Sequence, residues 1–225
     1  MDIFIAANGG EPLISAGVLN SVVIVVILCL FFIIASSKIK KADPQKPSIG
    51  LVFIMELLVT SMEGICKSIM GHKNGKFGPF IGTLIIYLVI ANLFGLFGLT
   101  PPTSNYNVTL GLAIFALTYL AISAIKTKGF LRYLRETFVG DFPILLPLNI
   151  IGEVSKVVSL SLRLFVNILS GSMISFVLLQ LAGGWLIIVM PFLNFYFDIF
   201  AGLIQTVIFS FLVMIWLEDA VATTS

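Results

Sequence analysis

FGPFIGTLIIYLVIANLFGLFGLTPPTSNYNVTLGLAIFALTYLAISAI, residues 77–125, contains no charged side chain. As a single helix it would be about 74 Å long at 1.5 Å per residue, more than twice the thickness of a bilayer's hydrocarbon core. It must therefore fold back, and Pro101-Pro102 supplies the break. The pattern predicts one helix over about 79–99 and a second over about 107–125, joined by a short uncharged loop. The composition agrees with a membrane protein, with 59% of residues hydrophobic and 11% charged against about 25% charged in ordinary soluble domains.

Outward from this stretch the reading continues. Ser15 to Ser37 is uncharged and rich in Val, Ile and Leu, which predicts a first spanning helix over about 15–37, ended by Lys38, Lys40 and Lys41. Pro44 and Pro47 mark a break. Residues 49–70 carry Glu56, Glu63 and Lys67 at spacings that share one face, so an amphipathic helix lying at the interface is expected there. A second basic stretch holds Lys126, Lys128, Arg132 and Arg135. From Phe142 to Leu217 the charges are Glu153, Lys156, Arg163 and Asp198. Gly183-Gly184 is the expected turn and Pro191 lies near the start of the return helix, giving a hairpin of helices over about 145–181 and 188–217.

The fold class predicted is an all-α integral membrane protein. It has about five transmembrane helices plus one interfacial amphipathic helix, the last two helices forming a long hairpin, all in one membrane domain over 1–225. Nearly all Lys and Arg lie between 38 and 76 or between 126 and 156. By the positive-inside rule that side is cytoplasmic, with the N-terminus outside and the C-terminus inside. Met1 to Gly17 has no Lys or Arg, so no secretory signal is expected. Cys29 and Cys66 lie in apolar surroundings and read as small hydrophobes; neither a disulfide framework, a metal centre nor a cofactor is indicated.

Arg163 is the most informative side chain. An arginine at mid-helix in a bilayer costs about 2.5–3.5 kcal/mol on insertion scales, so something must offset it. It sits too far inside the helix for a simple reach to the headgroups. A fixed cation that lines an aqueous cavity, or faces a partner's carboxylate, accounts for it. Ser159, Asn167 and Ser170 lie at i−4, i+4 and i+7 on the same face, and Gly171 and Ser172 extend its small, polar character. Ser159 and Ser170 taken alone read as interhelical glue. Asp198, Gly202 and Gln205 recur at i, i+4 and i+7 on the return helix, facing the opposite hairpin helix or, for Asp198, loop solvent. Gln205 fits either a satisfied core amide or a channel lining. Glu153 and Lys156, three apart, either pair on the helix surface or line a water-filled entry from the cytoplasm. These features suit ion passage. A stand-alone secondary transporter, with Arg163 as counter-ion to an anionic substrate, is the alternative; the absence of an internal repeat counts against it.

The segment EVSKVVSLSLRLFVN, Glu153 to Asn167, resembles the signature of F-type ATP synthase subunit a, E-x-S-K-P-x-S-L-x-x-R-L-x-G-N. Pro101 to Thr109 and the Leu-Ile-Gln-Thr-Val-Ile-Phe around Gln205 resemble further family segments, in the family's order. The resemblance implies a non-enzymatic subunit of the membrane-embedded Fo sector in a bacterial-type cell membrane. Its partners would be the c-subunit ring and the b subunits of the peripheral stalk, in the lipid bilayer and without nucleic acid. It implies two offset half-channels that carry H⁺ or Na⁺ past a rotor carboxylate and couple the gradient to ATP synthesis. Arg163 matches the essential arginine, and Asn167 and Gln205 match channel-lining amides. Asp198 and Ser172 stand where the family often has a His/Glu pair, Asn92 matches an outer-channel polar position, and Glu153 and Lys156 match the cytoplasmic exit region. Val157 and Val166 replace the usual Pro and Gly.

Overall fold

The computed structural model describes residues 15–41, 50–71, 76–97, 99–139, 144, 146–182, 192 and 195–222. The expected turn at Gly183-Gly184, Pro191, the break at Pro44 and Pro47, and most of Met1 to Gly17 lie outside the described residues. All regular structure among the described residues is helical. That is what a bilayer requires, because a helix satisfies its backbone hydrogen bonds within one segment.

Among the described residues, four helices are long and apolar enough to cross a membrane. They are α1 (Ala16–Lys41), α4 (Tyr106–Lys128), α6 (Leu146–Ala182) and α7 (Gly202–Val221), with α2 (Leu51–Met70) and α3 (Gly78–Leu93) between the first two. The 16 residues of α3 supply about 24 Å of helix. A 3₁₀ continuation over Phe94–Phe97 adds about 8 Å, and together they match the hydrocarbon thickness. The break comes where the prolines stand. Pro101 is extended, Pro102–Ser104 form one 3₁₀ turn, and Asn105 caps α4 by accepting a 2.9 Å hydrogen bond from the Asn107 amide. A turn of structure follows α4 that the sequence reading treats only as a basic stretch. At Gly129, φ is +88°, a left-handed corner suited to glycine, and it starts a short helix α5 (Phe130–Leu134) that runs into a π-turn, Arg135–Val139.

The core lies where α3, α4, α6 and α7 meet. A stripe of small residues on α4, with Ala113, Ala116 and Ala124 fully buried, lets α6 and α7 approach closely. By contrast α1 is apolar all round and buries chiefly Ile24, Leu28 and Ala35. Its tether to the bundle is polar: Ser21 Oγ and Tyr87 Oη share a 2.7 Å hydrogen bond, and Asn20 Nδ2 donates to the Thr100 carbonyl at 2.9 Å. Charges at Glu56, Glu63 and Lys67 keep α2 out of the set of spans. Its Met55, Cys66 and Met70 are buried, while Lys67 donates back to Glu63 at 3.1 Å.

The return helix does not begin as an α-helix. Tyr196–Ala201 is a π-turn, and α7 starts at Gly202. The junction is pinned by Asn92 of α3, which is 2% exposed. Its Nδ2 donates to the Gly202 carbonyl at 3.0 Å and to Thr206 Oγ1 at 3.2 Å, and its Oδ1 accepts from Thr103 Oγ1 at 3.2 Å. A Cβ on Gly202 would stand 3.0 Å from Asn92 Cβ, so the glycine is what allows this approach. Replacing Asn92 with Ala leaves the buried Thr103 hydroxyl without its acceptor, while the Gly202 carbonyl keeps only the Thr206 hydroxyl beside its helix bond. The expected cost is about 1–3 kcal/mol, seen as a lower thermal midpoint of the detergent-solubilised protein, and Gly202→Ala should lower it as well.

Candidate functional site

Two stripes run along α6. Leu160, Ser161, Leu164, Ile168, Gly171 and Ser175 are buried and form its inner side. Arg163 and Asn167 are half-buried, and Ser159, Val166 and Ser170 are exposed, so the polar stripe opens outward from the chain. Arg163 forms no ion pair and no hydrogen bond among the described residues. Its neighbour Phe165 packs edge-on against Tyr106 of α4, ring centroids 5.8 Å apart, which helps fix how α6 is turned. Ser172 is also exposed, and its Oγ donates to the Leu169 carbonyl of its own helix at 2.9 Å.

Gln205 faces the other way. It is 7% exposed, among the buried residues of α7, and its Nε2 is buried with no hydrogen-bond partner. No hydrogen bond joins it to Arg163. Asp198 lies in the π-turn, and its side chain is outside the described residues. The expected i, i+4, i+7 stripe of Asp198, Gly202 and Gln205 passes through this π-turn. A π-turn bonds i to i+5 and shifts the phase of the helix. Gly202 moreover faces Asn92 of α3, not α6. Asn92 itself is a saturated crosslink in the protein interior.

Glu153 and Lys156 pair with each other through Oε1 and Nζ, and the Lys156 ammonium also stands 5.7 Å from the Trp216 ring centroid of α7. The same two side chains line a cavity of 910 Å³ between the ends of α4, α6 and α7.

A profile described as ATP synthase A chain matches residues 18–218. The ATP synthase subunit a of Aliarcobacter butzleri (strain RM4018) is 33% identical over 203 residues, 88% of this chain and 86% of the relative. That of Helicobacter pylori (strain P12) is 30% identical over 208 residues, 90% of this chain and 88% of the relative. ATP synthase subunit a 2 of Acaryochloris marina (strain MBIC 11017) is 33% identical over 168 residues, 74% and 70% respectively.

The chain belongs to the ATP synthase A chain family. It is thus a multi-pass membrane subunit of the ion-translocating Fo assembly, working with other subunits of that complex. Within the family frame, its departures have visible consequences. With Val in place of Pro at 157, α6 runs unbroken for 37 residues. Val166, in place of Gly, adds an exposed branched side chain to the Arg163 stripe.

The structure also joins residues that the motif does not single out. At the corner after α4, Glu136 accepts from Lys128 at 2.8 Å and from Arg132 at 2.7 Å. Arg132 and Glu136 are at i, i+4, a readable spacing, whereas Lys128 reaches Glu136 only because of the Gly129 turn. Hydrogen bonds from Lys128 and Arg132 hold the Glu136 carboxyl below its ordinary range. Burial pushes the nearby Tyr133 phenol up, and the Glu153 charge adds to this. A carboxyl whose pKa is lower folded than unfolded stabilises the fold above its unfolded value, and that stabilisation fades as pH falls through the folded one. Amide exchange of 129–139, corrected for intrinsic rates, should therefore stay slow above pH 4.5, the ordinary value, and quicken at more acid pH. In Glu136→Gln the exchange should be fast throughout and should lose that pH dependence.

Proposed function

We propose that this subunit carries H⁺ or Na⁺ through two offset half-channels beside a rotating ring of c subunits, with Arg163 as the fixed cation between them. What supports this is the outward-opening Arg163 stripe, in which the guanidinium has no acid partner among the described residues. A half-buried cation that has no acid partner among the described residues suits a carboxylate brought by a neighbour.

The electrostatics favour this role. Opposite charges about 4 Å apart attract by about 4 kcal/mol at an effective dielectric near 20. At about 1.36 kcal/mol per pKa unit, this lowers a rotor carboxyl's pKa by up to about three units and opposes the desolvation that would keep it protonated. Arginine stays charged at every accessible pH, so it also bars direct passage between the half-channels. Asn167 and Ser170 continue its stripe toward one end. Gln205, Asp198, Ser172 and Asn92 belong to the outer half-channel side in this reading, with Asn92 acting there as the fastener of α7 and not as a wetted surface. Glu153 and Lys156 stand at the cytoplasmic exit. The chain acts as a single membrane domain with its N-terminus outside and its C-terminus inside, held to b subunits of the stalk.

Arg163→Lys tests the reading. The charge survives, but lysine can lose its proton when desolvated and lacks the planar fork. Ion-driven ATP synthesis in vesicles carrying the variant complex should fall to background while the complex still assembles; wild-type synthesis rates would overturn the proposal.

A further inference from the structure

The 910 Å³ cavity at the corner after α4 has a size within the roughly 300–1,000 Å³ of small-molecule sites. Its lining is of two kinds. The charged part includes the cations Lys128, Arg132, Arg135 and Lys156. The carboxylates of Glu136, Glu153 and Asp219 stand among them, so cations outnumber acids by four to three. The apolar part is formed by Leu120, Leu131, Trp216 and Ala220. A bare ion would have no use for the apolar wall, and an acyl chain none for the cations. The lining suits an amphiphile with one negative charge.

Its level in the membrane points the same way. The cavity opens where two spanning helices finish, α4 at Lys128 and α7 at Val221. The short helix α5 beside it exposes Phe130 (58%) and Leu131 (81%) on the segment that also carries Arg132 and Arg135. Large apolar side chains turned outward beside basic ones are the mark of a segment seated between acyl chains and headgroups. Basic pockets between spanning helices at that level take anionic headgroups.

The internal pairs show which cations remain available. Lys156 is engaged by Glu153. Glu136 is shared by Lys128 and Arg132, one carboxylate for two cations, and the side chain of Lys128 is only 7% exposed. Arg135 is exposed and makes no ion pair among the described residues. We propose that this cavity holds the phosphodiester headgroup of an anionic phospholipid. Arg135 donates to the phosphate oxygens in the forked manner of guanidinium, Arg132 beside it stays on Glu136 and adds only its charge, and the glycerol and acyl chains leave past Leu131. One phosphodiester cancels the excess charge of the lining. Glu153 and Lys156, placed above at the cytoplasmic exit, line the same cavity, so the headgroup sits beside that exit; the inference itself needs only the cavity, its lining and its level.

The test uses the full chain in nanodiscs of phosphatidylcholine with a minor share of phosphatidylglycerol, followed by native mass spectrometry in detergent. Wild type should retain one phosphatidylglycerol in preference to phosphatidylcholine. Arg135→Gln should reduce that retention by about tenfold, the loss of one charge-assisted bond, with an unchanged thermal midpoint. Leu131→Gln should reduce it through the apolar wall. Lys126→Gln, outside the lining, should leave it unchanged. The proposal fails if the two lipids are retained equally, or if Arg135→Gln keeps the wild-type level. It fails equally if inorganic phosphate displaces the lipid, which would assign the site to free phosphate, or if no lipid is retained, which would leave a water-filled vestibule.

Discussion

A hydrocarbon core offers no water to a polar group, and each feature of this chain answers to that fact. The backbone is helical because helices close their own hydrogen bonds. Side chains obey the same demand. Asn92, with its hydrogen bonds made inside the protein, ties α3, α7 and the turn after Pro101 into one unit. Ser161, Thr109 and Thr206, all buried, each donate to a carbonyl of their own helix. Against this background of satisfied groups, those left open carry information. Among the described residues Arg163 is one, and the Gln205 amide and the Ser210 hydroxyl are others.

The satisfied groups also position the open ones. Asn92 holds the point where the π-turn becomes α7, and that point sets the rotation of everything after it, Gln205 included. The small-residue stripe of α4 draws in α6, while the Tyr106–Phe165 contact fixes its turn. The outward aspect of Arg163 is therefore a property of the packing, since Leu160, Leu164 and Ile168 can face inward only if the polar stripe faces out.

The spanning helices were legible in the sequence because a long uncharged run has one cheap conformation in a bilayer. The fold-back at Pro101-Pro102 was legible because two prolines end a helix wherever they stand. Arg163 and Asn167 could be placed on one face from their spacing alone. Helix α5 could not be anticipated, since five residues are too few to show a period and its neighbours are charged. The π-turn that interrupts the stripe of Asp198, Gly202 and Gln205 leaves no mark in the composition yet shifts later residues around the axis. Asn92 could be seen to be polar and within a span, but its partner is the carbonyl of Gly202, 110 residues on, and only the tertiary structure brings the two together.

Two amides on this scaffold make the distinction between structure and function concrete. Asn92 and Gln205 have the same chemical group, both buried, less than two helical turns apart in the levels they contact on α7. One has its donors and acceptor engaged; the other has a donor with nothing to bond. An unpaired buried donor costs about 1–3 kcal/mol, and a chain that builds so complete a knot at Asn92 does not lack the means to satisfy a second amide. The amide left open is the one that the ion-path reading uses. A polar group with its bonding capacity in reserve can exchange partners as an ion passes, whereas one bound on every side can only hold the walls in place.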